Sequence, residues 1–587
     1  MADTNITLTP SVAHASGAAT ITASAALFAA TDVGRLISIW QKVDNTRVAA
    51  TAYTAGKIFI SEYNQVPRVY RVISSGTTAA ANMAGTTPNY DLNAPNEIGV
   101  TVLDGTAVLK YLGPGRHVWG WALITGFTST TVVDVSIDPR GPFGSTTASL
   151  RWRMGEFSDT RGWPRAGTYH KGRLWLGGTA TRTAGLWASQ SNDFANFAPT
   201  EPSGEVFDTN AIAISLDADV VQAVRWLASV PRGLAVGTGS GEWLVSPANR
   251  NAAISPGNIT ADPQGTRGSG TGAMPRAVSG PVLFPQRGGR RLRQLEYDFG
   301  TDRFTTADLT VLADHIAGAG FVETAYADTP DGVFYGLRPD GKVAALTFDS
   351  DQKLRAWTFI ELGGGGVVES ICTAPDPDGT GTDLMCAVAR TVDEVTTRTI
   401  EFVRSPFRAD LDDAADGYFV DCGLSYSGTP VTTITGLTHL EGLTVQICAD
   451  GSRRQDQVVA SGTVSITGPS ASVVHVGLRY RHRIVDLPPG GNMPNGFPMR
   501  TATMRVVRAT LTLLDSIGGR VGGLGDSGED LAFRTLDMNM DTAVPLFTGD
   551  LAVTTFGSYG TKGQLEITGD DPLPWTLLAI AKEVSAA

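Results

Sequence analysis

The chain has 587 residues, of which 42% are hydrophobic and 18% charged, with a mean hydropathy of -0.01. That balance belongs to a folded chain with room for several domains, not to a disordered one. The 58 acids against 46 bases give a net charge of -12, which argues against general binding to nucleic acid through phosphate contacts.

Gly (68) and Pro (31) are abundant without a collagen period, which points to many tight turns between short strands. Four cysteines, Cys372, Cys386, Cys422 and Cys448, are too few for a disulfide scaffold, and none lies in a CxxC pair that would suggest zinc. The N-terminus lacks a basic and then apolar leader, so no secretory signal is expected. No apolar run approaches the ~18 residues of a membrane span.

Residues 1–150 read as a β domain with Thr/Ala/Ser-rich connections and nine acids against nine bases. Gly34–Trp40, Lys57–Ser61 and Arg68–Ile73 are its clearest strands, and Thr77–Pro95 reads as a loop. From Arg151 the rhythm changes. Val333–Leu337, Lys342–Phe348 and Leu354–Ile360 form a meander whose first turn is Pro339-Asp340-Gly341, where Pro fixes φ and Gly supplies φ > 0. Comparable pieces are Gly172–Gly177 with Gly185–Ala188, Gly233–Thr238 with Gly241–Val245, Pro281–Phe284, Arg290–Tyr297 and Leu384–Phe402.

Meanders repeating at roughly 40–60 residues suggest the blades of a propeller, in which radial repetition protects strand edges. A β-sandwich with long loops is the competing reading. One helix is predicted, starting near Thr306 or Asp308 and carrying Leu309, Leu312, Ala313 and Ile316 on one face, with Gly318-Ala319-Gly320 ending it.

From about Asp410 strands return at Val431–Leu437, Leu443–Cys448, Gly462–Ile466, Val473–Leu478 and Thr501–Leu514. Pro488–Pro498 and Ile517–Gly528 read as long loops. The predicted fold is therefore all-β with few helices. A β-propeller-like domain over 151–409 is flanked by accessory β-sandwich or β-barrel-like domains at 1–150 and 410–587.

Chemistry-bearing motifs are sparse. Gly237-Thr238-Gly239-Ser240-Gly241 is followed by Glu242-Trp243 rather than Lys-Ser/Thr, so it reads as a hairpin turn and not a phosphate loop. Gly363–Gly366 reads as a flexible connection. There is no GxSxG elbow, and the histidines at 14, 117, 170, 315, 439, 475 and 482 are scattered. His170 reads as structural and His315 as surface.

Asp376, Asp378 and Asp383 have a faint calcium-loop spacing, but an acidic hairpin tip explains them better. Asp410, Asp412, Asp413 and Asp416 read as a solvated linker. Arg287, Arg290, Arg291 and Arg293 form the one basic patch, which would contact phosphates or, better matched to the acidic chain, a neighbouring subunit or fibre. Trp119, Trp121, Trp152, Trp163, Trp175, Trp187, Trp226 and Trp243 would bind sugars if exposed, but most sit in strand patterns that favour the core. No catalytic, cofactor-binding or metal residue is assigned, and no cofactor is expected.

Three stretches carry a family resemblance: WRMGEFSDTRGWPRAGTYHKGRLWLGGTATRTAGLWASQSNDFANF (Trp152–Phe197), GRRLRQLEYDFGTDRFTTADLTVLADHI (Gly289–Ile316) and DGVFYGLRPDGKVAALTFDSDQKLRAW (Asp331–Trp357). They resemble the tail nozzle proteins of short-tailed bacteriophages, also called tail tubular or stabilisation proteins. The resemblance is strong over the middle of the chain and looser towards the C-terminus. It implies a non-enzymatic virion protein with a propeller-like domain, assembled in the host cytoplasm.

The expected partners are five further copies in a hexameric ring, the adaptor and portal proteins above it, docked tail fibres, and DNA passing through the channel without specific binding. Similar proteins carry a further β segment ahead of the Thr-rich domain, so another polypeptide is expected to supply that part of the ring contact. Two other functions compete: a glycan-binding or glycan-cleaving tail protein, and a hub or distal-tail protein of a long-tailed particle.

Overall fold

The computed structural model describes residues 5–63, 66–80, 98–217, 223–278, 280–377, 379–404, 407–410, 413–492, 498–526, 528–539, 542–554, 559–560 and 562–586. The chain is all-β, and its sheets are antiparallel and mostly small. It divides into two compact units, Met1–Thr271 with Gly280–Gly288 and Arg293–Asp308, and Gly272–Ser279 with Gly289–Leu292 and Leu309–Ala587.

The first unit opens with a six-stranded sheet in the order Leu8–Pro10, Gly17–Ala23, Val132–Ile137, His117–Ser129, Leu36–Lys42, Trp152–Met154. Its strands alternate, and one face buries Leu8, Ile21, Ile37, Ile39, Ile124 and Val135 with Trp152. A second sheet, ordered Ile58–Tyr63, Val66–Ser74, Ala107–Pro114, Thr101–Asp104, is buried on both faces. Phe59, Tyr70 and Tyr111 lie on one side, and Ile58, Ile60 and Val69 on the other. Most of the expected loop Thr77–Pro95 lies outside the described residues.

The propeller-like repeat follows. Blade 1 is Ala166–His170, Arg173–Gly177, Gly185–Ala188 and Ile212–Ser215. Blade 2 is Val224–Val230, Gly233–Thr238, Glu242–Ser246 and Thr260–Gly265. Blade 3 contributes Val282–Pro285, Leu292–Asp298 and Arg303–Asp308. Each runs up and down in chain order. Blades 1 and 2 share a core built on Trp175, Leu186, Leu227, Val236 and Trp243. Blades 2 and 3 share Trp226, Phe284, Leu295 and Phe304. Arg173 ties blade 1 to its own long loop by donating to the carbonyls of Ser189, Asn210 and Asp208 at 2.7, 2.7 and 2.6 Å.

In the second unit blade 4 is Glu323–Ala327, Val333–Leu337, Val343–Asp349 and Leu354–Ile360, and blade 5 is Val367–Pro375, Thr382–Val392 and Val395–Val403. Their first strands are tied by side chains. Glu323 Oε2 accepts from Ser370 Oγ at 2.8 Å and Ile371 N at 2.9 Å. The stretch Leu384–Phe402 is a hairpin, turned by Asp393 and Glu394 at φ 49° and 64°.

Beyond the blades, Val420–Val431, Ala471–Arg479, Thr444–Ala449 and Ser452–Arg453 form one sheet over Val445, Ile447, Val474 and Val476. A sandwich-like pair follows. One sheet is Phe547–Val553, Met504–Ser516, Thr576–Ala586; the other is His482–Val485, Leu565–Gly569, Arg520–Gly523, Glu529–Asp530. Leu511 and Leu513 of the first pack with Val521, Leu565 and Ile567 of the second.

The predicted helix is corrected. Arg303–Asp308 is a strand, paired through Thr305↔Glu296 and Thr306↔Leu295, and only Asp314–Ala317 is helical. Two β-branched threonines beside a partner strand favour pairing over helix. Leu309, Ala313 and Ile316 are buried as expected, but Leu312 is 94% exposed, so no continuous apolar stripe exists. Around 431 the expected strand divides: the long strand ends at Val431 and a short one covers Thr433–Thr435. Residues 493–497 of Pro488–Pro498 lie outside the described residues. The expected loop Ile517–Gly528 is corrected: Arg520–Gly523 is a strand paired with Leu565–Gly569, and it buries Val521 in the core despite the flanking glycines.

Candidate functional site: an aromatic and cationic face on the first sheet

Alternation in Leu36–Lys42 sends Ile37 and Ile39 into the core and leaves Ser38, Trp40 and Lys42 on the opposite face. The neighbouring strand matches it: Trp121 pairs with Ser38, Trp119 with Trp40 and His117 with Lys42. On the other side Arg153 pairs with Ser38, while Trp152 falls on the core face.

The result is a ladder of rings and guanidinium groups. The Arg153 Cζ lies 4.0 Å from the Trp119 ring centroid. Arg151 sits 5.6 Å from Trp119 and 4.7 Å from Trp40. Trp40 in turn stacks on His117, with centroids 5.8 Å apart and planes 9° from parallel. Such contacts are worth about 0.5–2 kcal/mol each, more where water is excluded.

Among the described residues no carboxylate pairs with Lys42, Arg151 or Arg153. The like charges are felt. Burial, then Arg151, pushes Arg153 down to about 10. Burial, then Lys42 and Arg151, lowers His117 below its ordinary value. The loop Thr200–Gly204 closes on this face: Arg153 Nη2 donates to Thr200 Oγ1 at 3.3 Å, and a Cβ on Gly204 would fall 2.8 Å from the Trp40 ring.

Beside His117 opens a cavity of about 600 Å³, lined by Trp40, Gln41, Lys42, Arg116 and His117 and by the hydroxyls of Ser145, Thr147 and Ser149. Gln41 is 3% exposed. Its Nε2 donates to the Thr147 carbonyl at 2.6 Å, and its Oε1 is buried without a hydrogen-bond partner.

The residues singled out in the sequence do not converge. Asp376 folds back on its own hairpin tip, accepting from Thr380 N at 2.9 Å and Thr380 Oγ1 at 2.8 Å. Asp383 is buried, with Arg404 at 3.7 Å, and Asp378 lies outside the described residues. Asp410 is held by Arg408, Asp413 accepts from Ala415 N, Asp416 lies 3.7 Å from His475, and Asp412 lies outside the described residues. Among the described residues no group of three or more His, Cys, Asp or Glu is placed to hold a metal ion.

Arg291 pairs with Asp314 at 3.2 Å and Arg293 with Asp308 at 3.5 Å, so both have acidic partners in their own chain; Arg287 and Arg290 are exposed. The four cysteines are free thiols. His170 is buried and His315 exposed. Thr238 and Gly241 close a hairpin turn. Gly363 is bonded on both sides, its N–H to Asp421 Oδ2 at 2.5 Å and its carbonyl from Arg390 Nε at 2.9 Å, so the glycine run is tied down. Trp152, Trp175, Trp187, Trp226 and Trp243 are core residues, and Trp163 is exposed.

Sequence reasoning missed Trp40, Lys42, Arg151 and Arg153. The alternation in LISIWQK was the available signal for the first two.

No protein-family model matches the chain, and no curated protein matches it. Solved structures give only faint likenesses. Human WBSCR16 is 12% identical, with 44% of this chain and 71% of that one covered at TM-score 0.26. A protein from Lactobacillus plantarum is also 12% identical, over 60% of this chain and 97% of that one, at TM-score 0.26. An exo-β-1,3-galactanase from Phanerochaete chrysosporium is 8% identical, over 71% and 95%, at TM-score 0.22. At such scores none of them bears on activity. No helix among the described residues is long and apolar enough to cross a membrane.

Proposed function

We propose that this chain is a structural protein of a short-tailed phage tail. In this reading it forms the nozzle ring below portal and adaptor, continues the DNA channel and docks fibres. The observation that carries the reading is an open sheet edge. Among the described residues Thr576–Ala586, 11 residues long, ends its sheet, and Leu578 on it is 60% exposed. A long, partly apolar edge on a folded domain is a template for another chain. A heterologous contact of this kind closes into a ring when the rotation permits.

The protein performs no chemistry in this reading. Residues 406–587 carry 20 acids and 13 bases, a net of -7, which suits a lumen that repels phosphates and lets a duplex slide. Placing a charge on the edge tests the contact. Leu578→Lys is expected to shift purified protein from ring to monomer while leaving its circular dichroism unchanged. A variant that assembles like the parent contradicts this use of the edge.

A further inference from the structure

We infer that the edge strand Thr576–Ala586 is covered by Val395–Val403 of a second copy, the last strand of blade 5, in an antiparallel pairing. The inference rests on the ring reading above and names the two surfaces that join. The sheets that hold blades 1 to 4 are four-stranded, whereas blade 5 has three strands among the described residues. No backbone group of Val395–Val403 bonds beyond its hairpin partner among those residues. Thr397, Thr399 and Glu401 are half-buried, and Thr396, Arg398, Ile400 and Phe402 are exposed. This edge is nine residues long, carries no proline and shows two large apolar side chains, so nothing blunts it against pairing.

The two edges fit by shape and by charge. On Thr576–Ala586, Leu577, Ile580 and Val584 pack inwards, and Ala579, Ala581 and Glu583 are exposed. One antiparallel register sets exposed face beside exposed face, with Arg398 opposite Glu583, Ile400 opposite Ala581 and Phe402 opposite Ala579. Each large apolar side chain then meets a small one, and opposite charges stand directly across the pair. A shift of two residues would set Arg398 against Ala581 or Ser585 and lose the charge pair, and a shift of one would turn exposed face to core face. Glu583 has no ion pair among the described residues, while Arg398 holds Glu369 at 2.7 Å on the surface. The two strands are different surfaces of the chain, so the contact is heterologous and can be repeated from copy to copy around a ring. It joins the C-terminal sheet to a blade, not blade to blade.

The test is sedimentation of the full chain over a range of concentrations. Arg398→Glu and Glu583→Arg are each expected to raise the midpoint of assembly about tenfold or more, since attraction becomes like-charge repulsion. The double variant, with the charges exchanged, is expected to return to within about threefold of the parent. Both residues are exposed, so these variants fold. Glu369→Gln removes the partner of Arg398 within its own chain and is expected to assemble like the parent. Arg398→Glu assembling as readily as the parent, or a double variant no better than the single ones, would overturn this pairing and leave the ring reading standing. Leu578→Lys blocking assembly while Arg398→Glu does not would likewise overturn it, since another segment would then occupy the edge. A parent that stays monomeric at every concentration would overturn both the pairing and the ring.

Discussion

The His170 Nδ1 lies 2.8 Å from Ser229 Oγ, a bond between the first strands of blades 1 and 2. Both ring and hydroxyl sit where successive blades meet, and His170 is only 4% exposed. Burial, then Lys171, pushes its pKa down to about 4. A base whose folded pKa is depressed stabilises the fold fully above its unfolded value near 6.5, and that stability is lost as pH falls towards 4. The loss is on the order of 3 kcal/mol. Melting temperatures of wild type and His170→Gln, measured across this window, are expected to differ in slope, with the variant flatter. Equal slopes contradict a neutral, buried His170.

The hairpin after Gly237 is a packing device. A Cβ on Gly237 would run into the indole of Trp226, which is 2% exposed and donates to Ser269 Oγ at 2.8 Å. Gly237→Ala is expected to cost about 2 kcal/mol or more, as overpacking of a core does. Gly257→Ala, where a Cβ meets nothing within 4 Å, is expected to stay within about 0.5 kcal/mol of wild type. Chemical denaturation of both variants checks the pair.

Asp421 behaves oppositely to His170. Burial pushes its carboxyl up to about 6, against the bond from Gly363 and the nearby Arg390, while Glu401 adds to the rise. An acid with a raised folded pKa weakens the fold as pH climbs from its unfolded value near 4 through 6. Asp421→Asn has no proton to lose and still offers an oxygen to Gly363. It is expected to gain stability over wild type above pH 6 and to match it near pH 4. A variant less stable at every pH contradicts this account.

Much of the fold is legible locally. Strand and turn signals lie within a few residues of one another, as at Pro339-Asp340-Gly341, where Gly341 takes φ 78° as the turn requires. The failure at 305–316 has a physical cause. Burial of Leu309, Ala313 and Ile316 has the spacing of a helix face, but the residues before them belong to a strand partner almost ten positions upstream. The aromatic and cationic face was hidden for the same kind of reason. Trp40, Trp119 and Arg153 are far apart in the chain and meet only through strand register. Trp152 and Arg153, adjacent in sequence, end on opposite faces.

We propose that the chain closes into a ring through its open sheet edges. Mass photometry of the purified full chain, followed by class averages of the particles, tests it most directly. Six copies in a closed ring with a central channel, contacts lying on the terminal β domains, is the result predicted. A monomer at every concentration, a trimer, or a ring joined mainly blade to blade would contradict it.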